Sequence, residues 1–307
     1  MDNEASSSNA QALDMLVAML RREHGNAVNA ILYYGSCLRS NNPFDGIVDV
    51  YLITDSYRAI YRSRVRAFLN WFLPPNVFYK ELDVGNRILR VKYNVLSDNS
   101  LRRGLSSKRI HSYFWGRFCQ PMHILWARDE DARRYVGACL QQAVKTFLER
   151  VLPRAPATGE VGDLWTQGLA LSYAAELRSE APDRPRELVD YALDHCVAVT
   201  TTAAPSLCYS MTVERAGETA CYTATVSASS RMLSRGGWML RRALGKVLSM
   251  ARLLKALLTF EGGLDYVAWK LERHSGQSIE IPDRVRRHPL IFIWPLLWKL
   301  YRCGVIR

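Results

Sequence analysis

A chain of 307 residues, 49% hydrophobic and 23% charged, has the material for one sizeable core or two modest ones and is not intrinsically disordered. Lys and Arg number 41 against 29 Asp and Glu, and the resulting formal charge of +12 points to an anionic partner: nucleic acid, a phospholipid surface or a polyphosphate. The seven cysteines are odd in number and lack CxxC or Cys/His spacing, which argues for reduced thiols and against a zinc site, and the longest apolar run, 289–298, is about half of the roughly 20 residues a bilayer-spanning helix needs.

The first stretch, MDNEASSSNAQ, is polar and acidic, lacks the basic start and apolar core of a secretory signal, and reads as a short disordered lead. Leu13, Leu16, Val17 and Leu20 then share one face of a helix predicted over 10–22 and stopped at Gly25-Asn26. A buried strand predicted over 28–34 ends at Gly35-Ser36, and a polar connection containing Asn41, Asn42, Pro43 and Gly46 leads to a second strand over 47–54. A helix over 57–72 stops at Pro74-Pro75, and strands over 77–82 and 87–96 turn at Gly85-Asn86. From Asp129 onward helical periodicity dominates, with segments predicted over 129–151, 163–178, 184–199, 238–260 and 264–274. The Pro- and Gly-bearing stretch 153–162 is the predicted domain boundary.

The segment ILYYGSCLRSNNPFDGIVDVYLITD sets Gly35-Ser36 directly after one strand and Asp49 within the next, the arrangement of a nucleotidyltransferase. Glycine lets backbone N–H groups approach a triphosphate, serine adds a donor, and a strand-borne carboxylate presents Mg²⁺ to the α-phosphorus. Many such proteins carry Asp-x-Asp here, because residues two apart on a strand share a face and can bind one metal pair. Tyr51 stands in the second place, and Asp55, six residues beyond Asp49, lies about 20 Å away along an extended strand. A second carboxylate would have to come from Glu81, Asp83 or Glu176, or from Asp45 by a bend. The fold class expected is therefore α+β. A nucleotidyltransferase-like mixed sheet with helices covers 1–152, a mainly helical domain completing the substrate site covers 153–280, and a basic, aromatic, membrane-associating segment covers 281–307.

Six segments, YGSCLR at 34–39, VDVYLITD at 48–55, VFYKEL at 77–82, RVKYNVLS at 90–97, YFWGRFCQPMHIL at 113–125 and ALSYAAELR at 170–178, resemble in order and spacing the mitochondrial-type CDP-diacylglycerol synthases. These are the phosphatidate cytidylyltransferases of the translocator-maintenance family, which likewise show one Asp followed by apolar residues on the motif strand. The resemblance implies Mg²⁺-dependent transfer of CMP from CTP to phosphatidic acid with release of pyrophosphate. It also implies an anionic phospholipid membrane surface as partner, no nucleic acid, and a cytoplasmic location, peripheral on the inner face of a membrane. The alternatives are a nucleotidyltransferase acting on RNA, of the tRNA or poly(A) type, and an inactive nucleotide-binding relative.

On this reading Asp49 and Lys92 are catalytic, Gly35, Ser36, Arg117, Ser172, Tyr173 and Arg178 bind substrate, and Asp49 and Glu176 hold the metal. Lys92 lies in an otherwise apolar strand, where it either meets a phosphate or sits on a solvated face beside Arg90. Arg117 either clamps a phosphate bidentately or makes a surface ion pair. Ser172 and Glu176, four apart on one helix face, either hold a metal or ribose or form a polar face with Glu176 paired to an arginine. The six histidines show no ligand spacing. In the last segment Arg284, Arg286, Arg287, Lys299, Arg302 and Arg307 accompany Phe292, Trp294, Leu297 and Trp298, a composition suited to a headgroup layer or to a core-packing terminal helix.

Overall fold

The computed structural model describes residues 2–177, 182–217, 219–259 and 284–285. Helix α1 (Asp2–His24) begins at Asp2, so the expected disordered lead is helical instead. Tertiary contacts hold that first part: Arg87 donates to Ser8 Oγ at 2.6 Å and Asn9 Nδ2 donates to the Asn41 carbonyl at 2.9 Å. Strand β1 (Val28–Tyr34) leads into a short helix α2 (Ser36–Arg39), and β2 (Val48–Thr54) returns beside β1. The helix expected over 57–72 is two helices, α3 (Tyr57–Ile60) and α4 (Arg64–Phe72). Ser56 and Ser63 each cap one of them, accepting from the N–H of Ala59 at 3.2 Å and of Arg66 at 3.3 Å. Strands β3 (Asn76–Val84) and β4 (Arg87–Ser97) form the expected hairpin, with Gly85 at φ +60° in its turn.

Helices α5 (Asp98–Leu105) and α6 (Trp115–Phe118) follow, then β5 (His123–Ala127), an edge strand the sequence reading missed. The sheet runs β3-β4-β2-β1-β5, with β2 and β4 parallel and the other neighbours antiparallel. Alternate β1 residues serve opposite faces: Ile31 and Tyr33 pack toward Leu16 and Leu20 of α1, whereas Ala30 and Leu32 pack into a second core. Burial on both faces explains why β1 and β2 read as continuous apolar runs.

The rest comprises α7 (Glu130–Val151), β6 (Thr158–Glu160), α8 (Val161–Ala174), α9 (Arg184–Tyr191), α10 (Leu193–Ala203), β7 (Ser210–Ala216), β8 (Thr219–Thr225) and α11 (Ala228–Thr259). This region is mainly helical but holds a three-stranded antiparallel sheet, β6-β8-β7, which the helical expectation did not include. Its signal was present in Ala220, Tyr222 and Ala224, which alternate inward along β8. The architecture is α+β, a five-stranded mixed sheet followed by a helical region. The second core runs from Leu32 and Tyr51 of the sheet through Leu152 and Val161 to Trp238, so buried side chains join the residues on either side of 153–162. The helix expected over 264–274 and the segment 281–307, apart from residues 284–285, lie outside the described residues.

One carboxyl group at the far end of the sheet ties stability to pH. Burial pushes the Asp98 pKa up to about 6; Asn29, which donates to Asp98 Oδ2 at 2.5 Å, works against this, and nearby Asp55 adds to it. A carboxyl raised above its unfolded value binds more protons in the native state between pH of about 4 and 6. Its contribution is full below the unfolded pKa and is lost as pH rises to 6. Denaturant titrations across this range should show Asp98→Asn gaining on wild type with rising pH, by about 2 kcal/mol at neutrality.

Candidate active site

At the end of β1 the chain must turn sharply, and Gly35 takes φ +97°, a conformation essentially restricted to glycine. The glycine also permits a close approach, because a Cβ there would lie 3.1 Å from Asp49 Oδ2 and 3.3 Å from Asp49 Cβ. Sheet register explains the contact: Tyr34 is the cross-strand partner of Asp49, and Asp49 is in register with Lys92 on the parallel neighbour β4. Lys92 Nζ and Asp49 Oδ1 form an ion pair in which both side chains keep some exposure.

These groups open into a cleft of about 820 Å³ lined by Gly35, Ser36, Asp49, Lys92, Arg117 and Tyr173 among the residues expected from sequence. The lining also contains Arg39, His123, Gln120 and Arg184, which sequence reasoning did not assign. Arg39 closes the quoted YGSCLR segment, one helical turn past Gly35, and that spacing was its available signal. Among the described residues, four cations, Arg39, Lys92, Arg117 and Arg184, thus share the cleft with one lining carboxylate, Asp49. Helices α8, α9 and α10 also give the lining apolar side chains, Trp165, Leu169, Leu188, Val189, Tyr191 and Cys196, joined by Leu177 just beyond α8, beside Tyr173 and Arg184 from the same helices.

Glu176, expected as a metal ligand, is engaged elsewhere. Arg117 donates to both of its oxygens, Nη1 to Oε1 at 3.0 Å and Nη2 to Oε2 at 2.6 Å, and the guanidinium lies 3.9 Å from the centre of the Tyr113 ring. Its reach to this arginine was the plainer of the two sequence readings. Ser172 does not reach the cleft: its hydroxyl donates to the Leu169 carbonyl at 3.0 Å, and it packs where a Cβ on Gly116 would stand 3.1 Å away. Arg178 lies outside the described residues. The other carboxylates considered from the sequence do not complete a pair with Asp49. Glu81 accepts from Tyr79 at 2.6 Å and meets Arg90 at 3.3 Å, Asp55 binds Arg128 at 2.9 Å, and neither Asp45 nor Asp83 lines the cleft. Tyr51, in the second position of the motif, is buried between Tyr34 and Phe118, with ring centres 4.8 and 4.6 Å away, so the floor under Asp49 is aromatic.

Among the described residues no group of three or more His, Cys, Asp or Glu side chains is placed to hold a metal. The donor set does not fit a protein-held metal pair. It does fit a magnesium ion shared with a nucleoside triphosphate, which needs only one or two protein carboxylates and takes its other ligands from phosphate and water.

The strength of the Arg117–Glu176 pair can be tested by stability. Glu176→Gln should destabilise by about 2 kcal/mol in urea unfolding. That is less than the roughly 3–5 kcal/mol for breaking a fully buried pair, because the Arg117 side chain keeps 21% exposure.

No family model matches this chain, and no curated protein matches it. Among solved structures it is similar to a nucleotidyltransferase-like protein from Exiguobacterium sibiricum, with 10% identity and a TM-score of 0.26 over 71% of this chain and 99% of that one. A likeness of that degree adds no weight to the site geometry.

Proposed function

We propose that the cleft transfers a nucleotidyl group, and that the enzyme is a phosphatidate cytidylyltransferase making CDP-diacylglycerol from CTP and phosphatidic acid. The observation that carries this reading is the position of Asp49, held against Gly35 and paired with Lys92 in a cleft whose lining includes Arg39, Arg117 and Arg184. In the reaction an acceptor phosphate oxygen bonds to the α-phosphorus of CTP while the bond to the β-phosphate breaks and pyrophosphate leaves. Lys92, Arg39, Arg117 and Arg184 line the space where three phosphates and an acceptor phosphate would bring negative charge together, and a fixed cation there stabilises charge that spreads in the transition state. A magnesium ion arriving on the triphosphate would be held by Asp49 and would supply further neutralisation of the phosphate oxygens.

The apolar lining from α8, α9 and α10 beside the cations favours a lipid phosphate over RNA as acceptor, since the cleft offers matching surface to both the anionic and the apolar parts of such a ligand. The resemblance of YGSCLR, VDVYLITD and RVKYNVLS to the phosphatidate cytidylyltransferases supports the same substrate pair. Incubating the protein with each labelled ribonucleoside triphosphate, Mg²⁺ and either phosphatidate vesicles or tRNA tests this directly. Label should appear in CDP-diacylglycerol, from CTP alone. Transfer to tRNA, or no product from any nucleotide, would replace this reading with one of the two alternatives.

A further inference from the structure

Two helices are turned inside out. The face of α11 that packs on the protein carries Trp238, Arg241, Gly245, Arg252, Lys255 and Thr259, whereas Met232, Met239, Leu240, Val247, Leu253 and Leu254 face outward. Met239 is 72% exposed and Leu253 58%. Helix α4 repeats the inversion, burying Ala67 and Asn70 while Val65, Phe68, Trp71 and Phe72 point out, Trp71 at 54% and Phe72 at 70%. Helix α11 meets the segment that follows α4, where Lys255 Nζ donates to the carbonyls of Leu73 and Pro75 and Arg252 Nε donates to that of Pro74 at 3.2 Å. Scattered exposed apolar residues are ordinary, but two adjoining helices that both present their large apolar side chains outward form a surface built for contact.

Charge narrows what that contact is. Helix α11 contains no Asp or Glu, and its exposed positions include Arg235, Arg242 and Lys246; α4 likewise has none and is entered through exposed Arg62 and Arg64. A second copy would set this cationic face against itself, and residues 286–307, which carry Arg and Lys and no acid, would be equally mismatched as a cover; residues 260–283, which carry five acids, are the competing cover and predict vesicle binding that the substitutions below leave unchanged. We propose that the outward faces of α4 and α11 together dock the protein on an anionic phospholipid surface, with the aromatic and aliphatic side chains in the headgroup boundary and the arginines and lysines on the phosphates. The surface adjoins the cleft: Gly245 lets α11 approach the Ala175 carbonyl so closely that a Cβ would stand 2.0 Å from it. Arg252 lies 3.7 Å from the centre of the same Tyr113 ring that holds Arg117. The purpose of docking rests on the lipid-acceptor reading, but its test needs no nucleotide and is judged separately from turnover.

The test is flotation of the full chain with vesicles of phosphatidylcholine, alone or mixed with phosphatidylglycerol. Binding should require phosphatidylglycerol and weaken with salt. A variant with Phe68→Ser, Trp71→Ser and Phe72→Ser, and another with Leu253→Ser and Leu254→Ser, should each bind on the order of tenfold to a hundredfold more weakly. Their melting should be unchanged, because the replaced side chains are already largely in water. The proposal is overturned if both variants bind as wild type. It is equally overturned if the substitutions instead split a dimer that ignores vesicles, or if only removal of residues 260–307 abolishes vesicle binding.

Discussion

Asp49→Asn is expected to lower nucleotidyl transfer by at least about a hundredfold, measured as pyrophosphate release in single turnover with saturating CTP. The size follows from the number of carboxylates available. With Glu176 engaged by Arg117 and Tyr51 in the aromatic floor, Asp49 is the one carboxylate lining the cleft among the described residues. A site that depends on a single charged oxygen pair loses roughly 3 kcal/mol or more of transition-state stabilisation when that charge goes, and each 1.4 kcal/mol is a factor of ten. The fold should lose little. The Lys92–Asp49 pair is partly buried on both sides, so its loss should fall between the roughly 0–1 kcal/mol of an exposed pair and the roughly 3–5 kcal/mol of a buried one, at about 1 kcal/mol. Turnover within tenfold of wild type, in a protein that melts normally, would remove Asp49 from the chemistry and the proposed activity with it.

The parts of the fold legible in the sequence were those with strong local punctuation. Strands β1 and β2 and the β3–β4 hairpin follow from apolar runs broken by Gly35, Gly46 and Gly85, each at positive φ. The same residues placed the Gly-Ser turn beside Asp49, because a chain reversal between two paired strands leaves the turn next to the start of the returning strand. Register across the sheet is a tertiary fact, so the meeting of Lys92 with Asp49 could be expected only through the resemblance and not from spacing. Arg117 and Glu176 are 59 residues apart and come together through the packing of α6 against the end of α8. Serine and glutamate at i and i+4 do share a helix side, but the helix ends at Ala174, so the pattern no longer described one face there. In α11 the helical period was readable over its second half; which side would meet the protein was not, since it is the basic and small residues that face in.

Gly35 should be the least replaceable residue of the turn. Any side chain there meets two separate obstacles. The backbone sits at φ +97°, ψ −161°, a region that costs a non-glycine residue about 1–3 kcal/mol. In addition, the new Cβ would press on Asp49, 3.1 Å from Oδ2 and 3.3 Å from Cβ, closer than such contacts normally come. Relief requires moving either the turn, and with it the backbone that on the proposed reading approaches the phosphates, or the carboxylate itself. Gly35→Val adds β-branching to both problems and should reduce kcat/KM for CTP by about a thousandfold or more while lowering the melting temperature by several degrees. Ser36→Ala removes a single hydroxyl from a residue whose backbone needs no special conformation, and one lost hydrogen bond of about 1 kcal/mol predicts roughly a fivefold to tenfold loss with no change in melting. Measuring both variants side by side checks the geometry: if Ser36→Ala proves the more damaging, the triphosphate does not lie over the Gly35–Asp49 contact and the cleft must bind it in another orientation.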